Sequence, residues 1–190
     1  MSPFIPELLK LVTLPSLRLT AALTVAAAAL LAALDLPPLE SIRYTQAGFV
    51  VLGVLSAASE HQGGDQFRTT LLAMPRRLPL FAAKVLALAA CCVPLAALSA
   101  LPDVSPFAVV YLTLTALFSA AVGGLIRHAE AAVVLLLAGY FVVGPLLPAP
   151  AAAYLPGSAT VDPSHGTAAT AVWTACALLL AAATFHRRDA

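Results

Sequence analysis

The 190-residue chain is 61% hydrophobic and only 10% charged, with a mean hydropathy of +0.95. Soluble domains carry about a quarter charged residues, so these values exclude an ordinary soluble fold and predict an all-α integral membrane protein, since a spanning helix needs about 20 mostly apolar residues. A net charge of +1 says nothing about partners; no nucleic-acid partner is expected. Cys91, Cys92 and Cys176 fall inside apolar runs without metal or disulfide spacing, and are expected to be small buried hydrophobes.

In chain order, residues 1–17 carry Pro3, Pro6 and Pro15 around Leu8, Leu9, Leu11 and Val12, and predict an interfacial helix on the membrane surface. A first span is expected from Arg18 to about Leu34, retained and not cleaved as a signal peptide, because both the apolar run and the charged leader are long. Residues 35–45 read as a short loop, followed by a second span from about Thr45 to Ser59. The third span is expected over Leu78–Leu101 with a kink at Pro94, the fourth over Pro106–Ile126, and the fifth from Ala129 or Glu130 to about Leu147. Residues 145–166 hold five prolines and two glycines, too broken for a spanning helix and too apolar for a solvated loop, so a partly re-entrant segment is expected. A sixth span covers Thr167 to about Phe185. No internal repeat is visible, and residues 1–190 read as one transmembrane domain of six helices.

Basic residues set the orientation. Lys10, Arg18, Arg68, Arg76, Arg77, Lys84, Arg127, Arg187 and Arg188 fall on one side of this layout, with Arg43 alone opposite. The positive-inside rule then places both termini in the cytoplasm.

The most informative stretch is the polar interval between spans two and three. Gly63-Gly64 makes a turn, Asp65 is a good helix N-cap, and Phe67, Leu71 and Met74 form one apolar stripe at helical spacing. Pro75 stops the helix, since the residue before a proline is driven out of the α region. The result is a short amphipathic cytoplasmic helix within residues 60–77. So short a helix is marginal alone in water and needs a surface to lie against.

No span carries an Asp, Glu, Lys or Arg near its middle, where ion-coupled pumps and intramembrane enzymes usually place them. Neither HExxH, GxSxG nor a P-loop occurs, so no catalytic residue and no metal site is expected. His165 and Asp162 are too few ligands for a metal, and Gly139 and Gly144, like the many alanines, are expected to allow close helix packing. Ala-rich spans one and four or five offer faces for a second copy.

Tyr44-Thr45-Gln46-Ala47-Gly48-Phe49, Glu60, Gly64, Arg68-Thr69-Thr70-Leu71, Pro75-Arg76-Arg77 and Ala83-Lys84 together resemble the second span and coupling helix of ABC-2-type exporter permeases, in an actinobacterial-like form. The pattern covers about forty residues, and the layout of surface helix, six spans and broken outer segment is similar to that family. The chain is short for the family, with little outer loop between spans one and two. The resemblance implies a permease subunit of an ATP-driven exporter in the bacterial plasma membrane, paired with a second permease as homo- or heterodimer. ATP and Mg would belong to separate ABC ATPase subunits, this chain holding no cofactor and no enzymatic activity. Glu60, Gly64, Phe67, Arg68, Thr69, Leu71, Met74, Arg76 and Arg77 would then form the contact with the ATPase. The competing expectation is an accessory or assembly subunit that docks a cytoplasmic partner without transporting anything. Substrate identity is not encoded in any motif.

Overall fold

The computed structural model describes residues 4–58, 77–101, 105–126, 128–158 and 163–187. All of the regular structure among them is helical. α1 is Phe4–Thr13, α2 Pro15–Ala33, α3 Pro38–Ala58, α4 Arg77–Ser99 and α5 Pro106–Ile126. α6 starts as Ala129–Ala138, passes through a π-helical turn at Gly139–Val143 and ends with Gly144–Leu146. A single turn, α7 (Ala149–Ala152), precedes α8 (Pro163–Arg187).

Five of these helices, α2, α4, α5, α6 with its π turn, and α8, are long and apolar enough to cross a membrane. Large apolar side chains cover their outside, with Leu179 70% and Val134 67% exposed. In water such a surface would be a severe aggregation liability; in lipid it is the expected exterior.

α3 belongs to the bundle for a different reason. It carries Glu40, Arg43, Gln46 and Thr45 in its first half, and falls outside the set of five. Its neighbours compensate: it packs on α5 more extensively than any other pair of helices touch, and also against α2, α4 and α6. The expected loop at 35–45 is shorter than predicted. α2 ends at Ala33, Asp35 adopts a left-handed φ of 53°, and α3 has already begun at Pro38. Aspartate tolerates that conformation better than most residues, and proline is well suited to a first helical turn.

Close approach of α3 and α5 depends on Gly53. A Cβ there would stand 2.2 Å from the Ala116 carbonyl oxygen and 2.9 Å from the Ser119 Cβ. Gly48 admits the Thr24 side chain of α2 in the same way. The expectation for Gly139 and Gly144 is overturned: a Cβ at Gly139 would meet nothing within 4 Å, and one at Gly144 only the Gly139 carbonyl at 3.5 Å. Their role is local. Pro145 has no N–H to donate to the preceding turn, and the ladder widens so that the Gly144 N–H bonds the Gly139 carbonyl in a π turn.

The apolar core forms two clusters. One gathers Val50 and Val54 of α3, Phe118 and Ala121 of α5, Ala132, Leu136 and Tyr140 of α6, and Ala177 and Ala181 of α8. The other joins Phe49 of α3, Leu88, Cys92 and Ala96 of α4, and Tyr111, Leu112 and Ala116 of α5. Cys92 is buried as expected, Cys91 is half-buried, and Cys176 instead faces outward from α8. Serine and threonine hydroxyls inside the helices mostly bond back to a carbonyl one turn earlier, as Thr113 does to Val109 and Thr115 to Tyr111. Such back-bonding satisfies a hydroxyl where water is absent.

The N-terminal helix is a member of the bundle and not only a surface element. Its largest contact is with α4, and Leu11 packs against the second core cluster. Lys84 Nζ of α4 lies 3.6 Å from Glu7 Oε1, with only 19% and 13% of the two side chains exposed. Ile5, Leu9 and Val12 remain on its outer face.

Candidate functional site

The predicted coupling residues Glu60, Gly64, Phe67, Arg68, Thr69, Leu71, Met74 and Arg76 lie outside the described residues, and Arg77 enters only as the first residue of α4. The anchors of the segment are well defined. α3 closes with a buried Ala58, and Val54 one turn earlier is fully buried. Near the start of α4, Phe81 packs on the same apolar cluster as Val54, beside Leu125 and Ile126 at the end of α5 and Ala129 at the start of α6. The end of α3 and the start of α4 thus meet the same apolar cluster.

A second feature sits where α3 begins and α6 ends, and no sequence motif announced it. A cavity of about 1140 Å³ opens between α3, α6 with its π turn, the chain after α7, and the first half of α8. This exceeds the range of about 300–1,000 Å³ usual for small-molecule sites. Phe118, Leu135, Leu136, Val172 and Trp173 give it apolar walls, together with alanines, glycines and prolines. Arg43, Gln46, Tyr140, Tyr154, Ser158 and His165 supply the polar groups, and no carboxylate stands among the described lining residues.

The lid over this cavity is the Pro-rich segment, which is held by hydrogen bonds to α8. The Trp173 indole N–H donates to the Tyr154 carbonyl at 2.8 Å, and the Thr170 hydroxyl lies 2.6 Å from the Pro156 carbonyl. Internal turns, such as Ser158 N–H to the Leu155 carbonyl at 3.1 Å, satisfy further backbone groups. Gly157 lets the chain pass over Tyr140: a Cβ at that position would stand 3.0 Å from the ring. Irregular backbone in a membrane protein is tolerable where protein satisfies it, and these bonds do so for residues 148–158.

Behind the cavity wall lies a buried polar cluster. The Tyr111 hydroxyl donates to Gln46 Oε1, with Tyr111 fully buried and Gln46 1% exposed. The Thr115 hydroxyl donates to the Tyr111 carbonyl at 2.9 Å. Tyr140, 6% exposed, brings its hydroxyl near Thr115 without closing a hydrogen bond.

Arg43 is the exceptional side chain. It is half-buried in the cavity wall, and it makes no ion pair or hydrogen bond among the described residues. Sequence reasoning noticed Arg43 only as the one basic residue breaking the charge asymmetry. The cavity itself draws on positions as far apart as 43, 118, 140, 155 and 173, so no local spacing could disclose it.

No family model matches the chain, and no curated protein or solved structure matches it either.

Proposed function

We propose that this chain is the transmembrane permease subunit of an ATP-driven exporter of the ABC-2 type, coupled to separate ATPase subunits through residues 60–77 and paired with a second permease. The observation that carries the reading is the pattern from Tyr44 to Lys84, a polar coupling segment between two helices, with its R-T-T-L, P-R-R and A-K elements. The anchoring of α3 and α4 in one apolar cluster supports it, because a partner pushing on residues 60–77 would load both helices together. In this reading the chain crosses six times, α3 being the enclosed crossing, and the bias of the basic residues supports cytoplasmic termini.

In this reading Phe67, Leu71 and Met74 seat in the ATPase, Arg68, Arg76 and Arg77 meet acidic groups at its rim or lipid headgroups, and Glu60 holds the segment to the bundle. Pro94 and the π turn at Gly139–Val143 are the places where helices can change path as access alternates. The second permease must use helices with uncovered faces. α5, named from sequence as one option, is the most enclosed of the five apolar helices, with half of its span buried, whereas α2 and α6 have 17% buried. The pairing face therefore belongs to α2 or α6.

The test is affinity purification of tagged protein from its native membrane in a mild detergent. An ABC ATPase should co-purify, and its ATP hydrolysis should change when the permease is present. A cytoplasmic partner without ATPase activity would instead identify an accessory or docking subunit.

A further inference from the structure

We propose that the cavity between α3, α6 and α8 binds an anionic amphiphile, its carboxylate or phosphate head on Arg43 and its acyl chain along the apolar wall. This site does not depend on the export reading. A half-buried guanidinium without a partner is expensive to keep in an apolar wall, and Arg43 has none among the described residues. Guanidinium matches carboxylate and phosphate oxygens in a two-point geometry that lysine cannot reproduce. No described carboxylate lines the cavity to compete for it. Beyond Arg43 the wall turns apolar through Phe118, Leu135, Leu136 and Val172, and the volume of about 1140 Å³ leaves room for a chain as well as a head. A small hydrophilic anion would use the first feature and waste the second; a neutral hydrophobe would leave the cation unpaired.

The chemistry is shared by a phospholipid drawn from the bilayer and by a free single-chain acid, and the experiment separates them. Protein purified in a neutral detergent is titrated with palmitate, hexadecanol, phosphatidylglycerol and phosphatidylcholine, and bound molecules are counted by native mass spectrometry. Palmitate should bind well ahead of hexadecanol, or phosphatidylglycerol ahead of phosphatidylcholine. The first outcome identifies a free amphiphile, the second a membrane lipid, and either supports the site provided that Arg43 controls it. Arg43→Gln should weaken the preferred ligand by roughly tenfold to a hundredfold, the worth of a charge-assisted hydrogen bond, and Arg43→Lys should restore only part of that. Should Arg43→Gln fail to fold, Val172→Trp tests the same claim by obstruction: Val172 is 63% exposed and so tolerates the larger ring, which narrows the cavity. Equal binding within both pairs of ligands, unchanged affinity in a well-folded Arg43→Gln, or unchanged binding in Val172→Trp would each overturn the proposal.

Discussion

The Glu7–Lys84 pair shows how one contact can decide where a helix sits. From sequence, Lys84 counts as one of the basic residues on one side, and residues 1–17 read as a helix on the membrane surface. The structure joins the two expectations, because an ammonium that is only 19% exposed is held by a carboxylate that is 13% exposed. Removing one partner from a largely buried ion pair is more damaging than the pair is stabilising. Glu7→Gln is therefore expected to lower thermal stability in detergent by about 1–3 kcal/mol, below the roughly 3–5 kcal/mol of a fully buried pair because both side chains keep some exposure. Exchanging the residues (Glu7→Lys with Lys84→Glu) should recover part of the loss, a coupling that a double-mutant cycle measures. Equal melting of single and double variants would mean that the contact does not couple α1 to α4. Spacing alone could not disclose it, since the partners are far apart in the chain.

Among elements, the spans were legible because apolar runs bounded by Pro, Gly and charge are strong signals, as Pro106–Ile126 illustrates. There Ser105 also accepts the Ala108 N–H at 3.1 Å, an ordinary N-cap that sharpens the start. The beginning of α3 was not legible. Pro38, Glu40 and Arg43 read as a loop, yet they are tolerated in a helix that packs against four others. Glycines were misassigned for a similar reason: a sequence shows which residue lacks a Cβ, not what approaches it. Gly53→Ala should therefore be severe, because the added carbon would meet a backbone carbonyl at 2.2 Å. Gly139→Ala should keep the fold, its surroundings being open within 4 Å. Thermal unfolding in detergent compares the two, and the account expects a loss of at least about 1–3 kcal/mol for the first, as for other overpacked cores. Matching stabilities would show that α3 and α5 do not approach through Gly53.

At the scale of the whole molecule, an apolar exterior surrounds an apolar core in which the buried hydroxyls mostly bond back within their own helices. An apolar exterior is what a bilayer demands, and composition alone was sufficient to foresee it. The cavity was not foreseeable, since it is assembled from α3, α5, α6, α8 and the turns after α7. The proposed orientation rests on the six-span layout expected from sequence, which puts nine of ten basic residues on one side. Reporter fusions at Gly64, Arg127 and the C-terminus are expected to report cytoplasm, and fusions at Asp35, Asp103 and Asp162 the opposite side. Asp35 and Gly64 bracket α3, so agreement between them would show that α3 does not cross and that the crossing count is odd.

The claim on which the function stands is that the stripe of Phe67, Leu71 and Met74 seats in an ATPase. Leu71→Asp puts a charge on that stripe, and burying an unpaired charge at a contact costs several kcal/mol. In the sequence the residue lies outside the apolar runs expected to span, so membrane insertion should survive the change. Thr69→Ala, on the other side of the predicted helix, serves as the control. The decisive measurement is recovery of the ATPase, with its stimulated ATP hydrolysis, by each variant purified at equal yield. Loss is expected with Leu71→Asp and near-normal recovery with Thr69→Ala; full recovery with Leu71→Asp would contradict the coupling role and leave residues 60–77 an ordinary basic connection.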